Sequence, residues 1–188
     1  MKYISKGMVI KASTEDLLFV THCGVDFQLT GEQAALWLNG RFGFAKIREN
    51  VLEKKALHQL ARQGLVEIAD GDESVFEYRA LTQCVLVPAK PQGIRALLSA
   101  REKELLLWLT DAGLRLTTAE LVFLAERRIA PTAYLLGNRN RQALTETIYT
   151  HETIFDNILE SQMEHAAVRD EVVSALLRLL KKKRVLLL

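Results

Sequence analysis

Between Val25 and Leu38 the hydrophobic period changes once, and this change constrains the fold more than any other feature. Val25, Phe27 and Leu29 alternate with Asp26 and Gln28, the period of a strand with one buried face. From Thr30 onward Ala34, Ala35, Trp37 and Leu38 follow helical spacing. Thr30-Gly31-Glu32-Gln33 reads as a capping box, with the Thr hydroxyl accepting a free backbone N–H and Gln33 reaching back to the Thr30 N–H. Asn39-Gly40 reads as the C-cap. A chain that passes directly from strand to capped helix points to an α+β fold.

The flanking pattern extends this reading. Residues 8–13 and 17–22 are β-prone runs around the polar Thr14-Glu15-Asp16, which predicts a hairpin. A second helix is expected over 45–50 and a third over 52–63. Leu52, Ala56, Leu57 and Leu60 form the apolar face of the third, and Gly64 stops it. Asp70-Gly71 between the runs 65–69 and 74–81 is a hairpin signal. Helix, helix, helix and hairpin in that order predict a winged helix over residues 1–87.

Pro88, Pro91 and Gly93 place the domain boundary at 88–93. Residues 94–188 read as mostly helical. Ser99 with Glu102, and Thr117 with Glu120, are capping boxes. Thr132 caps a short turn through Leu136, and 140–150 can form a further helix. A long helical stretch follows over 152–183, before a terminal strand at 185–188. The expected architecture is therefore α+β, mostly helical, with two tandem winged-helix-like modules.

The chemistry-bearing residues point to binding. No G-x-G-x-x-G, P-loop or G-x-S-x-G motif occurs. His151-Glu152 begins like H-E-x-x-H, but Phe155 stands where the second His belongs. The two cysteines, Cys23 and Cys84, read as small buried side chains with no C-x-x-C motif, so neither a disulfide, a metal site nor a cofactor is expected. Glu152, Asp156, Glu160 and Glu164 recur every four residues, as an acidic helix stripe or a face for a basic partner. An enzyme is the least favoured class.

The basic residues are more pointed. Lys54, Lys55, His58 and Arg62 share one side of the expected third helix, the side a recognition helix presents to a major groove. Arg139, Arg141 and Gln142 open the corresponding helix of the second half, and Arg and Gln pair with guanine and adenine edges. Those residues could equally knit a buried hydrogen-bond network. The net charge is only +2, with 11 basic and 11 acidic side chains in residues 1–90, so tight duplex binding would need a homodimer. The acidic residues at 70–73 are awkward for a wing meeting phosphates.

The first reading is a DNA-binding regulator of transcription. The second is a peptide- or protein-binding adaptor, with a groove between the strands at 8–29 and the helix at 52–63. The N-terminus has lysines without the apolar stretch of about 7–15 residues that a secretory signal needs, and no apolar run approaches the roughly 20 residues of a membrane span. A cytoplasmic protein without membrane association is expected.

Two phrases also carry a family resemblance. Leu29-Thr-Gly-Glu-Gln-Ala-Ala-Leu-Trp-Leu38 and Leu57-His-Gln-Leu-Ala-Arg-Gln-Gly-Leu-Val66, behind a three-strand opening, resemble the winged-helix leader-peptide recognition modules of peptide-modifying systems, which include the PQQ-synthesis peptide chaperone. The resemblance covers residues 8–68. It implies that a peptide adds as a strand beside the sheet and leans on the third helix.

Overall fold

The computed structural model describes residues 1–14, 17–48, 50–71, 73–89, 97–137, 141–149 and 166–188. The fold is α+β, with helices and small antiparallel sheets. The chain divides into two compact units. One holds Met1–Cys84 and Leu186–Leu188, the other Val85–Val185. Most of the linker expected at 88–93 lies outside the described residues.

The N-terminal unit begins with β1 (Lys2–Ser5), β2 (Met8–Thr14), β3 (Leu17–His22) and β4 (Val25–Thr30). It continues with α1 (Gly31–Gly40), β5 (Ala45–Lys46), α2 (Val51–Arg62), β6 (Val66–Ala69) and α3 (Ser74–Thr82). Strands β2, β3 and β4 form the expected antiparallel meander. A second sheet has the order β5-β1-β6, and β1, absent from the sequence reading, lies at its centre.

Helix α1 is held to β1 by buried polar contacts. Trp37 Nε1 donates to the Lys6 carbonyl and Tyr3 Oη to the Leu36 carbonyl, each at 2.9 Å. Tyr3 and Trp37 are fully buried with Leu18, Val20, Leu29, Leu57, Leu60 and Leu65 in one apolar cluster. Burial pushes the Tyr3 phenol up to about 12, so it stays a neutral donor. Gly40 has a packing role. A Cβ there would lie 2.5 Å from Ser5 Oγ and 2.8 Å from Tyr3 Cε2.

The structure departs from several of the sequence expectations. The helix expected over 45–50 is instead β5, whose Ala45 and Lys46 pair with Tyr3 and Lys2. Weak local helix propensity yields to the backbone groups of β1, which need partners. The hairpin over 65–81, the expected wing, does not form. Its first half is β6, paired along β1 from Lys2↔Ala69 to Ser5↔Val66, and its second half is α3. A type I′ Asp-Gly turn needs positive φ at both central residues, and Gly71 is not among the positive-φ glycines. It lies instead against the Phe76 ring of α3, where a Cβ would come within 2.3 Å.

Helix α1 starts where expected, but Thr30 makes no side-chain cap bond; Gln33 Nε2 donates to Gln59 Oε1 of α2 at 2.8 Å instead. Asn39-Gly40 is not a C-cap, because the helix runs through Gly40. Leu52 leaves the expected apolar face and is 72% exposed. Glu53 takes the buried place, accepting the Arg48 N–H at 2.6 Å while its own N–H donates to the capping Asn50.

The second unit contains β7 (Leu86–Pro88), α4 (Ala100–Asp111), α5 (Thr118–Glu126), α6 (Ala133–Leu136), α7 (Arg141–Tyr149) and α8 (Ala166–Lys181). A final strand, β8 (Val185–Leu187), begins in it. Both capping boxes form as predicted, Ser99 with Glu102 and Thr117 with Glu120, and Thr132 caps α6. Residues 118–125 of α5 are all buried, which makes α5 the central helix. Helix α8 packs on α4 and α5, and α7 packs on α5.

Glu102 ties the start of α4 to the end of α8. Its carboxylate is 1% exposed and accepts from the Ser99 N–H, from Arg178 Nε at 3.1 Å and from Lys182 Nζ at 2.8 Å. Burial alone would raise its pKa, but the hydrogen bonds from Lys182 and the Ser99 N–H, with the Lys182 charge and Arg178, outweigh it and hold the carboxyl below its ordinary range.

Two outcomes are expected. In a Trp108→Phe background, where Trp37 reports on the N-terminal unit, Gly40→Ala should destabilise that unit by about 1–3 kcal/mol through overpacking, read from the urea midpoint at unchanged slope. A carboxyl depressed by folding stabilises above its unfolded pKa, and this contribution is lost as pH falls through the lower folded pKa. Unfolding of the second unit, followed by Trp108 fluorescence in a Trp37→Phe background, should therefore lose stability on acidification below about pH 4.5. Glu102→Gln should cost about 1–3 kcal/mol near neutrality and flatten that dependence.

Candidate peptide-binding edge and cationic helix face

The β2-β3-β4 sheet has two edges, and they differ. Strand β2 pairs with β3 irregularly, with register shifts between Val9 and Lys11 and between Ala12 and Thr14. Bulges of this kind twist an edge and interrupt its pairing. Strand β4 pairs with β3 without interruption from Leu17↔Thr30 to His22↔Val25. No described strand pairs with its other side. A regular six-residue edge of this kind presents about three outward N–H and three outward C=O groups, the template for adding a strand.

The side chains of β4 grade along its length. Leu29 is buried in the core, Phe27 packs against that core half-buried, and Val25 is 54% exposed. The opposite face carries exposed Asp26, Gln28 and Thr30. The open end of β4 lies near the end of α2. Val25 pairs with His22, and the His22 ring sits against Gly64, which turns the chain after α2 at φ +73°. Burial and the nearby Lys6 ammonium push the His22 imidazole below its ordinary pKa, against a smaller opposing effect from Glu67, so a neutral ring is favoured there. Lys6 itself pairs with Glu67 at 2.5 Å.

Helix α2 puts all four predicted basic residues, Lys54, Lys55, His58 and Arg62, in solvent. At about 100° per residue, Lys55, His58 and Arg62 fall within about 60° of one another, opposite the buried stripe of Glu53, Ala56, Leu57 and Leu60. Lys54 lies on one flank. Glu53, the one carboxylate of α2, is buried away from this face, and among the described residues none of the four basic side chains forms an ion pair.

The second predicted cluster is less coherent. Arg139 lies outside the described residues. Arg141 and Gln142 are exposed on the first turn of α7, so they form no buried network. Gln142 Nε2 donates to Glu146 Oε1 at 2.8 Å, which sets a carboxylate beside the face a recognition helix would present. The acidic stripe from Glu152 to Glu164 and the His151-Glu152 pair also lie outside the described residues. Cys84 is buried as expected, but Cys23 is exposed at a turn with φ +50°, its thiol 3.5 Å from His22 Nε2. No described helix is long and apolar enough to cross a membrane.

The difference between the sheet edges has no signature in the sequence. Bulges depend on how two strands register, and no residue type marks them here. The burial of Glu53 was more accessible, since a carboxylate at the third position of a capped helix commonly turns toward backbone N–H groups.

Comparison of the chain with protein-family models, curated proteins and solved structures gives no match.

Because the α2 face is solvated, the double substitution Lys55→Glu, Arg62→Glu should leave stability within about 0.5 kcal/mol of the parent in urea unfolding. A larger loss would show that these side chains support the fold.

Proposed function

We propose that the N-terminal unit is a peptide-recognition module. An extended segment of a partner adds to β4 as a further strand, and the apolar side chains of that segment rest beside Val25 and Phe27. The single observation carrying this reading is the regular, six-residue edge of β4, set against the twice-shifted edge of β2. Natural sheets usually blunt or cover such an edge. The order of the β2-β3-β4 meander, α1 and α2 supports the same reading, since it supplies the parts that the leader-peptide recognition modules use.

The test is selection of binders from a random 12-residue peptide library on the full chain, followed by amide exchange on the complexes. Added protection at residues 25–30, and loss of binding when alternate backbone amides of the peptide are N-methylated, are the expected results. Binders that protect other segments and tolerate N-methylation would refute it.

A second reading, duplex DNA binding by α2 within a tandem winged-helix homodimer, is favoured by the four exposed basic side chains of that helix. It is weakened by the missing wing and by the Gln142–Glu146 contact on α7. It predicts binding to random-sequence duplex that falls by orders of magnitude between about 50 and 200 mM salt.

A further inference from the structure

We propose that the second unit binds a small amphipathic carboxylate in the cleft between α4 and the segment that follows α5. Both helices pack on α8. Between the start of α4 and the end of α5 lies an open cleft of about 510 Å³, within the size range of small-molecule sites. Its apolar lining comes from Leu107 of α4, from Ile129 and Pro131 beyond α5, and from the small side chains of Ala100, Ala125 and Ala130. Leu107 is exposed there although it belongs to a helix whose other leucines are buried. An apolar ligand body seated on this lining is removed from water together with it.

The charge around this lining is one-sided. Glu104, the one carboxylate lining the cleft among the described residues, is bound by Arg101 at 2.8 Å, and Arg101 also holds Glu171, outside the lining, at 3.0 Å. Lys103 from α4 and Arg128 from the other wall are exposed, and among the described residues neither side chain has an ion-pair partner. Two uncommitted cations beside an apolar lining complement a ligand with one carboxylate and an apolar body. A hydrogen bond from guanidinium or ammonium to carboxylate is roughly twice as strong as a neutral one.

The backbone at Arg128 supports the same assignment. The Arg128 N–H donates to the Ala125 carbonyl at 3.1 Å and the Ile129 N–H to the Leu124 carbonyl at 2.9 Å. These are the paired bonds of a helix end whose left-handed position ordinarily takes glycine, and Arg128 occupies that position at φ +54°. The turn gains nothing from an arginine side chain, which instead forms part of the cleft wall.

The experiment titrates the full, isotope-labelled chain and follows its backbone amides by NMR at about 50 mM salt. The probes are phenylbutyrate, octanoate as a second apolar body, and phenylbutyramide as the uncharged isostere. Both acids should shift the amides of residues 100–107 and 128–130, with dissociation constants on the order of 1 mM or below. Phenylbutyramide should bind at least about tenfold more weakly than phenylbutyrate, and the advantage of the acid should shrink at about 500 mM salt. Arg128→Gly, Lys103→Gln should remove that advantage while the urea midpoint stays at or above that of the parent, because glycine suits the left-handed position. Equal affinity for phenylbutyrate and phenylbutyramide, an advantage that survives the double substitution, shifts centred on other residues, or no binding of either acid up to about 10 mM would each overturn the proposal. Concentration-dependent shifts of the same amides in the chain alone would place a second copy in the cleft and would also overturn it.

Discussion

The N-terminal unit depends on one short buried strand. Residues 3–6 are almost wholly removed from water, so every backbone N–H and C=O along them needs a partner. Strand β6 takes one side of β1 through four residue pairs, and β5 takes part of the other. Beyond β1 the Lys6 N–H donates to the Leu65 carbonyl and its carbonyl accepts from Trp37. Meeting these demands draws residues 45–46 out of a helix and holds 66–69 as a strand. It also brings α1 so close that only glycine fits at position 40.

The second unit solves its problem differently. A helix buried on nearly all sides, α5, needs neighbours all round, and α7 and α8 supply two of them. The charged group that could have made this costly, Glu102, is fully compensated. A buried carboxylate with a backbone N–H, a guanidinium and an ammonium around it avoids the penalty of an unpaired buried charge. Glu120 is held similarly, by the Thr117 N–H and the Tyr149 hydroxyl. In both cases the residue that completes a local capping box also makes a long-range contact.

The functional reading follows from how the first unit spends its strands. With β1 serving a separate sheet, the β2-β3-β4 meander ends on β4 and leaves a regular edge that no described strand pairs with. The segment that would have formed a wing to steady α2 on a duplex is instead the helix α3. Main-chain pairing along such an edge supplies geometry with little selectivity.

Much of this was legible in the sequence, because local rules decide it. The Ser99–Glu102 and Thr117–Glu120 boxes, the strand at 25–29 and the exposed side of α2 follow from spacing and from side chains that satisfy nearby backbone groups. Lys54, Lys55, His58 and Arg62 fall in solvent because Ala56, Leu57 and Leu60 must fall inside. Other features belong to tertiary structure. Whether 45–46 are helix or strand turned on the unpaired groups of β1, a four-residue segment too short to announce itself. Neither half of the box at Thr30 forms: the Thr30 side chain makes no cap bond, and the Gln33 side chain pairs with Gln59 on another helix. The two edges of the meander differ through inter-strand register, a relation between segments that no single stretch of residues encodes. The sequence by itself determined where the helices α1, α4, α5 and α6 begin and most of the apolar face of α2; the tertiary structure decided which backbone groups still needed partners, because that demand exists only once the strands are buried.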